Sequence, residues 1–310
     1  MRNAFAAELT ELAAADERIV LLTGDIGNRL FNPFKERNPG RFFNCGVAEA
    51  NMTGVAAGLA LSGLRPVTYT ITPFNTFRCL EQIKLDVCYQ NLPVVLVGLG
   101  AGLSYAEQGP THTSCEDLAC LRAMPNLTIV CPGDAREVVW ALRAALEHPG
   151  PVYLRLGKKN EPVVHQDDPG FVLGRGIEMV RGDEVCLLAA GNLLPLALDT
   201  ARELSLQGVS TGVVSLHTVK PLDLELLEEV FERSRLVVSL EEHGLAGGLG
   251  GALAEWLADG PPRPARLLRC GAPDRFLPEV ESQAQAREHL GLTPQAVAAR
   301  VLRSLENQLH

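Results

Sequence analysis

Five runs in the first half of the chain, "RIVLLTGD", "RPVTYTI", "PVVLVGLG", "LTIVCPGD" and "PVYLRLG", are short, rich in Val, Ile and Leu, and closed by Gly, Pro or Asp within a residue or two. Each leads into a longer stretch of helical period. Near-continuous apolar strands that alternate with helices define a parallel sheet, because each parallel crossover needs a helix and the helices cover both faces. The pattern recurs in the second half, with "EVCLLAAG", "GVSTGVVSL" and "RLVVSLEEH" as strands and "LLPLALDTARELSLQG", "LELLEEVFERS" and "GGLGGALAEWLADG" as helices. A chain of 310 residues exceeds what one core usually fills. The expected fold is therefore α/β, with two domains, each a mostly parallel sheet flanked by helices. The polar, Pro/Gly-rich text "KKNEPVVHQDDPGFVLGRG" places a linker at 161–176, between domains at 1–160 and 177–310.

The net charge of -9 leaves no basic face for a phosphate backbone, so nucleic acid is not an expected partner. Eight cysteines are scattered without a CxxC or a Cys/His cluster at zinc spacing, which suits reduced, mostly buried thiols. The N-terminal text carries acids throughout and fits neither a signal nor a transit peptide. No run is long enough to span a bilayer, so a soluble cytoplasmic protein is expected.

Glycines 98, 100 and 102 follow a strand and invite a dinucleotide-binding reading. Their GxGxG spacing misses the third glycine of the Rossmann fingerprint by one residue, and a tight turn explains them better. No phosphate-cradling GxxxxGK[ST] and no GxSxG nucleophile elbow occurs.

The chemistry is concentrated elsewhere. "FNCGVAEANMTGVAAGLA" sets one acid, Glu49, among small and apolar residues. A helix over 47–62 puts Glu49 in its first turn, where the dipole favours an anion, and that alone could explain it. A carboxylate in such company is desolvated unless a partner supplies a hydrogen bond, which is also typical of functional acids.

"GVAEANMTGVAAGLALSGLRPV" resembles the pyrimidine-binding domain of the transketolase family, whose motif places a Glu before a small-residue helix. "TITPFNTFRCLEQIKLDV" is similar to the family's aromatic segment, and "GLSYAEQGPTHTSCEDLACLRAMPNLTIVCPGD" to its substrate loop and the following helix–strand unit. "AAGNLLPLALDTA", "VVSLHTVKPLD" and "VVSLEEHGLAGGLGGALAE" resemble its C-terminal domain, so the likeness covers nearly the whole chain.

That resemblance implies thiamine diphosphate as cofactor. Glu49 would hydrogen-bond a ring nitrogen of the aminopyrimidine and so act in catalysis and cofactor binding. Phe74 would stack on the same ring, although Phe74 and Phe77 could also be core. Arg78, on the segment after Phe74, would bind the cofactor or its phosphate, with a surface ion pair as the plainer alternative. His112 in "GPTH" would reach the substrate and move protons, where a lone loop histidine is otherwise structural. Ser114 with Asp117 fits an S-x-x-D capping box that would anchor the loop behind His112. Arg155 would lie near the substrate phosphate. Gln108 stands where sugar-using relatives carry Asp, Gly100 where many carry a further His, and Ile71 where another aromatic is common, so the sugar pocket is expected to differ.

The family's GDG motif, which with a following Asn holds Mg²⁺ and the diphosphate, is missing, and the chain starts close to the pyrimidine-binding text. The expected protein is the C-terminal component of a split enzyme. An N-terminal transketolase subunit would bring the diphosphate domain and most of the Mg²⁺ binding in an α2β2 assembly. The small-residue helix at 48–62 is a candidate subunit contact, although packing inside the domain explains it nearly as well. The expected reaction moves a two-carbon ketol unit from a ketose, expected to be phosphorylated, to an aldehyde-type acceptor. A deoxyxylulose-phosphate synthase-like enzyme, a 2-oxo acid dehydrogenase β-subunit and a non-catalytic regulatory partner are the alternatives. His243 is read as structural.

Overall fold

The computed structural model describes residues 1–27, 29–158 and 160–307. Their strands are β1 (Ile19–Thr23), β2 (Phe42–Asn44), β3 (Arg65–Ile71), β4 (Val95–Leu99), β5 (Thr128–Val130), β6 (Val152–Leu156), β7 (Ile177–Val180), β8 (Val185–Ala189), β9 (Thr211–Ser215), β10 (Thr218–Lys220), β11 (Leu236–Gly244) and β12 (Arg266–Ala272). The helices of the first half are α1 (Arg2–Ala15), α2 (Asn32–Arg37), α3 (Glu49–Leu61), α4 (Leu80–Gln82), α5 (Asp117–Arg122) and α6 (Ala135–Glu147). Those of the second half are α7 (Leu194–Ser205), α8 (Leu224–Arg233), α9 (Leu249–Asp259), α10 (Gln283–His289) and α11 (Pro294–Glu306).

Two sheets result, ordered β10-β5-β6-β4-β3-β1-β2 and β12-β11-β8-β9-β7. Pairing is parallel except for β10 on β5 and β7 on β9. Strands β1, β4, β6, β8 and β9 are buried at every position. Helices on both sheet faces leave no position for a polar side chain to reach water, which is why these strands read as unbroken apolar runs.

The second half also contributes to the first sheet. Thr218 and Lys220 of β10 pair with Val130 and Ile129 of β5, and the Lys220 ammonium donates to the Arg122 carbonyl at 2.9 Å and to that of Met124. No strand is expected there from the sequence, nor at β2, β7 or β12. β2 and β10 are three residues long, and β2, β7 and β12 are exposed or half-buried along most of their length, so their hydrophobic signal is weak.

The segment 161–176 carries no helix or strand but is tied down. Asp134 caps α6 by accepting from the Arg136 and Glu137 amides, both at 2.9 Å. Its other oxygen accepts from the amides of Val164 and His165 at 2.8 and 2.9 Å. The buried His165 ring lies 3.1 Å from Asp134 and 3.2 Å from Glu137. Burial alone would lower its pKa, but the two carboxylates win and raise it from 6.5 to about 9.

Among the described residues no helix is long and apolar enough to cross a membrane. All eight cysteines are free thiols, six of them buried.

A pH dependence follows from His165. Its folded pKa is raised, so the native state binds the proton more tightly than the unfolded chain between about pH 6.5 and 9. The resulting stability is fully present below pH 6.5 and is lost as pH rises through 9. Denaturation midpoints measured across this window should fall with pH in the wild type, and His165→Gln should flatten the slope.

Candidate active site

Polar side chains gather where β1, β3 and β4 end at their carboxyl edge, the usual ligand-binding edge of an open α/β sheet. Glu49 is the first residue of α3 and only 1% exposed. Its Oε2 accepts from Arg78 Nη1 at 2.6 Å, while its Oε1 is buried and has no hydrogen-bond partner. Gly24, just past β1, makes room for this carboxylate: a Cβ there would fall 2.9 Å from both Glu49 Oε1 and Thr70 Oγ1. The hydroxyls of Thr23 and Thr70 are likewise buried without a partner. Buried polar atoms left unsatisfied are uncommon and point to a group that completes them.

Phe74, in the turn after β3, meets the histidine directly and the acid through Arg78. The Arg78 guanidinium carbon lies 4.1 Å over its ring, and the His112 ring meets it edge-on, with centroids 5.3 Å apart at 72°. Phe74 is half-buried and Phe77 exposed, so neither is a core residue. Cys79 is buried, and its pKa is raised to about 11, first by burial and further by Glu49, which leaves it a thiol.

His112 lies on the loop between β4 and α5. A two-way backbone bridge between Gly102 and Ser114 closes this loop, with hydrogen bonds of 3.1 and 2.9 Å. Gly100 and Gly102 take positive φ, 69° and 62°, in the tight turn that opens it, as the GxGxG spacing suggests. Burial lowers the His112 pKa against a smaller pull from Glu107, so the imidazole is neutral at pH 7 and able to accept or donate. Gln108 is exposed on the same loop.

Two expectations change here. Ser114 and Asp117 do not form a capping box: the N-cap of α5 is Glu116, the Ser114 hydroxyl has no partner, and Asp117 turns inward. Arg155 is not free for a substrate phosphate. It is 5% exposed and grips Asp117 with Nε at 2.8 Å and Nη2 at 3.0 Å, while Nη2 also donates to the carbonyls of Ser114 at 2.9 Å and Glu242 at 3.0 Å. Tyr153 donates to Asp117 at 2.8 Å. Burial pushes the Asp117 pKa up, but Arg155 and Tyr153 hold it below the usual carboxylate value. Arg155 thus fastens the base of the His112 loop to β11 of the second domain. Glu242 completes the fastening by accepting from the Leu103 amide at 3.0 Å, with Arg287 and Gln283 on its other side.

The sequence missed Lys158. It lies just past β6, 2.9 Å from Glu107 and 4.1 Å over the Tyr105 ring, beside the His112 loop. The signal was available: Arg155 sits inside "VYLRL", a strand buried on both faces, whereas the residue beyond the strand's carboxyl end reaches the site's rim. His243, read from the sequence as structural, accepts from the Ala119 amide at 3.3 Å and hydrogen-bonds the Gly244 carbonyl at 2.9 Å, with its pKa lowered by burial to about 4.

The transketolase pyrimidine-binding domain family matches residues 1–163, and the transketolase C-terminal domain family residues 174–297. A putative transketolase C-terminal section of Methanocaldococcus jannaschii is 33% identical, over 99% of this chain and 97% of its own length. The 6-deoxy-6-sulfo-D-fructose transketolase subunit SqwH of Clostridium sp. (strain MSTE9) is 37% identical, over 96% and 92%. A solved split-gene transketolase, an inactive β4 tetramer, is 36% identical and superposes with a TM-score of 0.90 over 98% of both chains. This chain therefore belongs to the transketolase family, in its split, C-terminal form.

Breaking the Arg155–Asp117 pair from one side strands a buried charge. Asp117→Asn and Arg155→Met should each cost about 3–5 kcal/mol in chemical denaturation, and the double variant should cost much less than their sum.

Proposed function

We propose that this chain supplies the pyrimidine half of a thiamine diphosphate site and completes a transketolase with an N-terminal partner subunit. One observation carries this reading: a carboxylate shut away from water with Oε1 unpartnered, joined through Arg78 to an aromatic ring that meets a neutral histidine. These residues fit the cofactor's aminopyrimidine. Glu49 hydrogen-bonds a ring nitrogen, and Phe74 takes the face of the ring by offset stacking. When bound, the cofactor supplies the electron sink for breaking a carbon–carbon bond next to a carbonyl.

The chain's own residues bind, orient and move protons. Glu49, in low-dielectric surroundings at a helix N-terminus, can share a proton with a weakly basic nitrogen as it could not in water. His112 exchanges a proton with a substrate oxygen, Gln108 hydrogen-bonds a hydroxyl, and Lys158 at the rim meets a substrate anion in the role first given to Arg155. The reaction transfers a two-carbon ketol unit from a ketose, which the rim lysine suits best when phosphorylated, to an aldehyde-type acceptor. The partner holds the diphosphate and most of the Mg²⁺ coordination, in an α2β2 assembly in the cytoplasm. The exposed apolar side chains of Phe43, Val47 and Val55 belong to the surface for that partner.

The test is reconstitution with the partner subunit, followed by product analysis with a ketose phosphate or pyruvate as donor. A ketol product from the ketose phosphate is expected; turnover of pyruvate alone would favour the deoxyxylulose-phosphate synthase or oxo acid dehydrogenase chemistry. Glu49→Gln should lower kcat by about 10²-fold or more at saturating cofactor with the melting temperature preserved. Survival of wild-type turnover in this variant would remove Glu49 from the mechanism.

A further inference from the structure

Arg78 engages the two groups assigned above to the cofactor ring, taking Glu49 by its other oxygen and Phe74 by its face. Its Nη1 reaches Glu49 Oε2 at 2.6 Å, and its guanidinium lies over Phe74 with Cζ 4.1 Å from the ring centroid. A guanidinium and an aminopyrimidine are alike in what these partners recognise: both are flat, both stack on an aromatic face, and both present N–H donors at the edge. Glu49 keeps Oε1 free, but the face of Phe74 that Arg78 covers serves one flat group at a time. We propose that Arg78 is a built-in occupant of the pyrimidine pocket, which the ring of the cofactor must displace in order to bind. The proposal rests on Glu49 and Phe74 being the ring site.

Three features suit the arginine to this task. Glu49 is 1% exposed, so without a cation or a ring the empty pocket would leave a buried charge uncompensated. Arg78 provides that compensation while its own side chain remains 38% exposed, so withdrawal returns the guanidinium to water rather than to another buried place. The backbone beneath it is held by hydrogen bonds from the Phe77 amide to Pro73 at 3.0 Å and from the Cys79 amide to Thr76 at 3.2 Å. The exchange is therefore a side-chain rotation over a fixed turn.

An occupant and a ligand predict opposite signs. If Arg78 were a cofactor ligand, as the sequence suggested, removing it would weaken binding. If it is an occupant, the pocket is competent only in the fraction of molecules from which it has withdrawn, and the apparent dissociation constant is raised by the inverse of that fraction. Removing it then tightens binding.

The experiment is a calorimetric titration of thiamine diphosphate, at fixed Mg²⁺, into the complex reconstituted with the partner subunit. It compares wild type with Arg78→Ala, Arg78→Lys and Glu49→Gln. Expected is a dissociation constant about fivefold or more lower for Arg78→Ala, a smaller decrease for Arg78→Lys, which keeps the charge without the flat stack, and an increase for Glu49→Gln. Should the alanine variant fold poorly in a melting control, the lysine variant carries the test by the same sign. Unchanged or weaker binding in the Arg78 variants, with Glu49→Gln weakened, would overturn the occupant and leave the ring site standing. Unchanged binding in Glu49→Gln would overturn the ring site and the occupant together.

Discussion

Glu49 is a charged group kept almost wholly out of water, and the local architecture is organised around that cost. It opens α3, where the free amides of the first turn favour an anion. Gly24, having no side chain, lets the end of β1 approach the carboxylate closely. Arg78 pairs with one oxygen, and the other is left buried without a partner beside the unpartnered hydroxyl of Thr70. Evolution would be expected to replace such a group with an apolar one unless its hydrogen-bonding capacity were used, since a buried polar atom without a partner costs about 1–3 kcal/mol.

The second constraint is the connection between the two domains. Arg155, in the middle of a buried strand, joins Asp117, the carbonyl of Ser114 and the carbonyl of Glu242. The histidine loop is thereby braced from behind by the second domain, and β10 repeats the connection at the far edge of the first sheet. A proton-transferring group on a loop needs such bracing, because small errors in position lower the rate steeply. The C-terminal domain thus acts on the site through the base of the histidine loop.

The fold was legible where the physics is local. Unbroken apolar runs announced the central parallel strands, and small residues after Glu49 announced α3. The short edge strands β2, β7 and β10 were hidden because an edge needs few buried residues and leaves little periodicity. Glu49, Phe74 and His112 were singled out from their motifs, and the structure links them in a chain: Arg78 touches both Glu49 and Phe74, and Phe74 meets His112. What failed was partner choice among charged residues. Ser114 and Asp117 have capping-box spacing, yet an arginine 38 residues away in sequence outcompetes the helix N-terminus for Asp117. Arg155 looked available for phosphate because spacing carries no information about burial, whereas its buried strand assigned it inward and left Lys158 at the rim.

In the reading proposed above, this chain holds only half of a cofactor site. That reading is tested most directly by titrating thiamine diphosphate and Mg²⁺ into the chain alone and into its mixture with the N-terminal subunit, following heat. Binding in the mixture and none to the isolated chain is the expected result. Tight binding to this chain alone would contradict the account, because the diphosphate would then have a site here that Glu49, Phe74 and their neighbours do not provide.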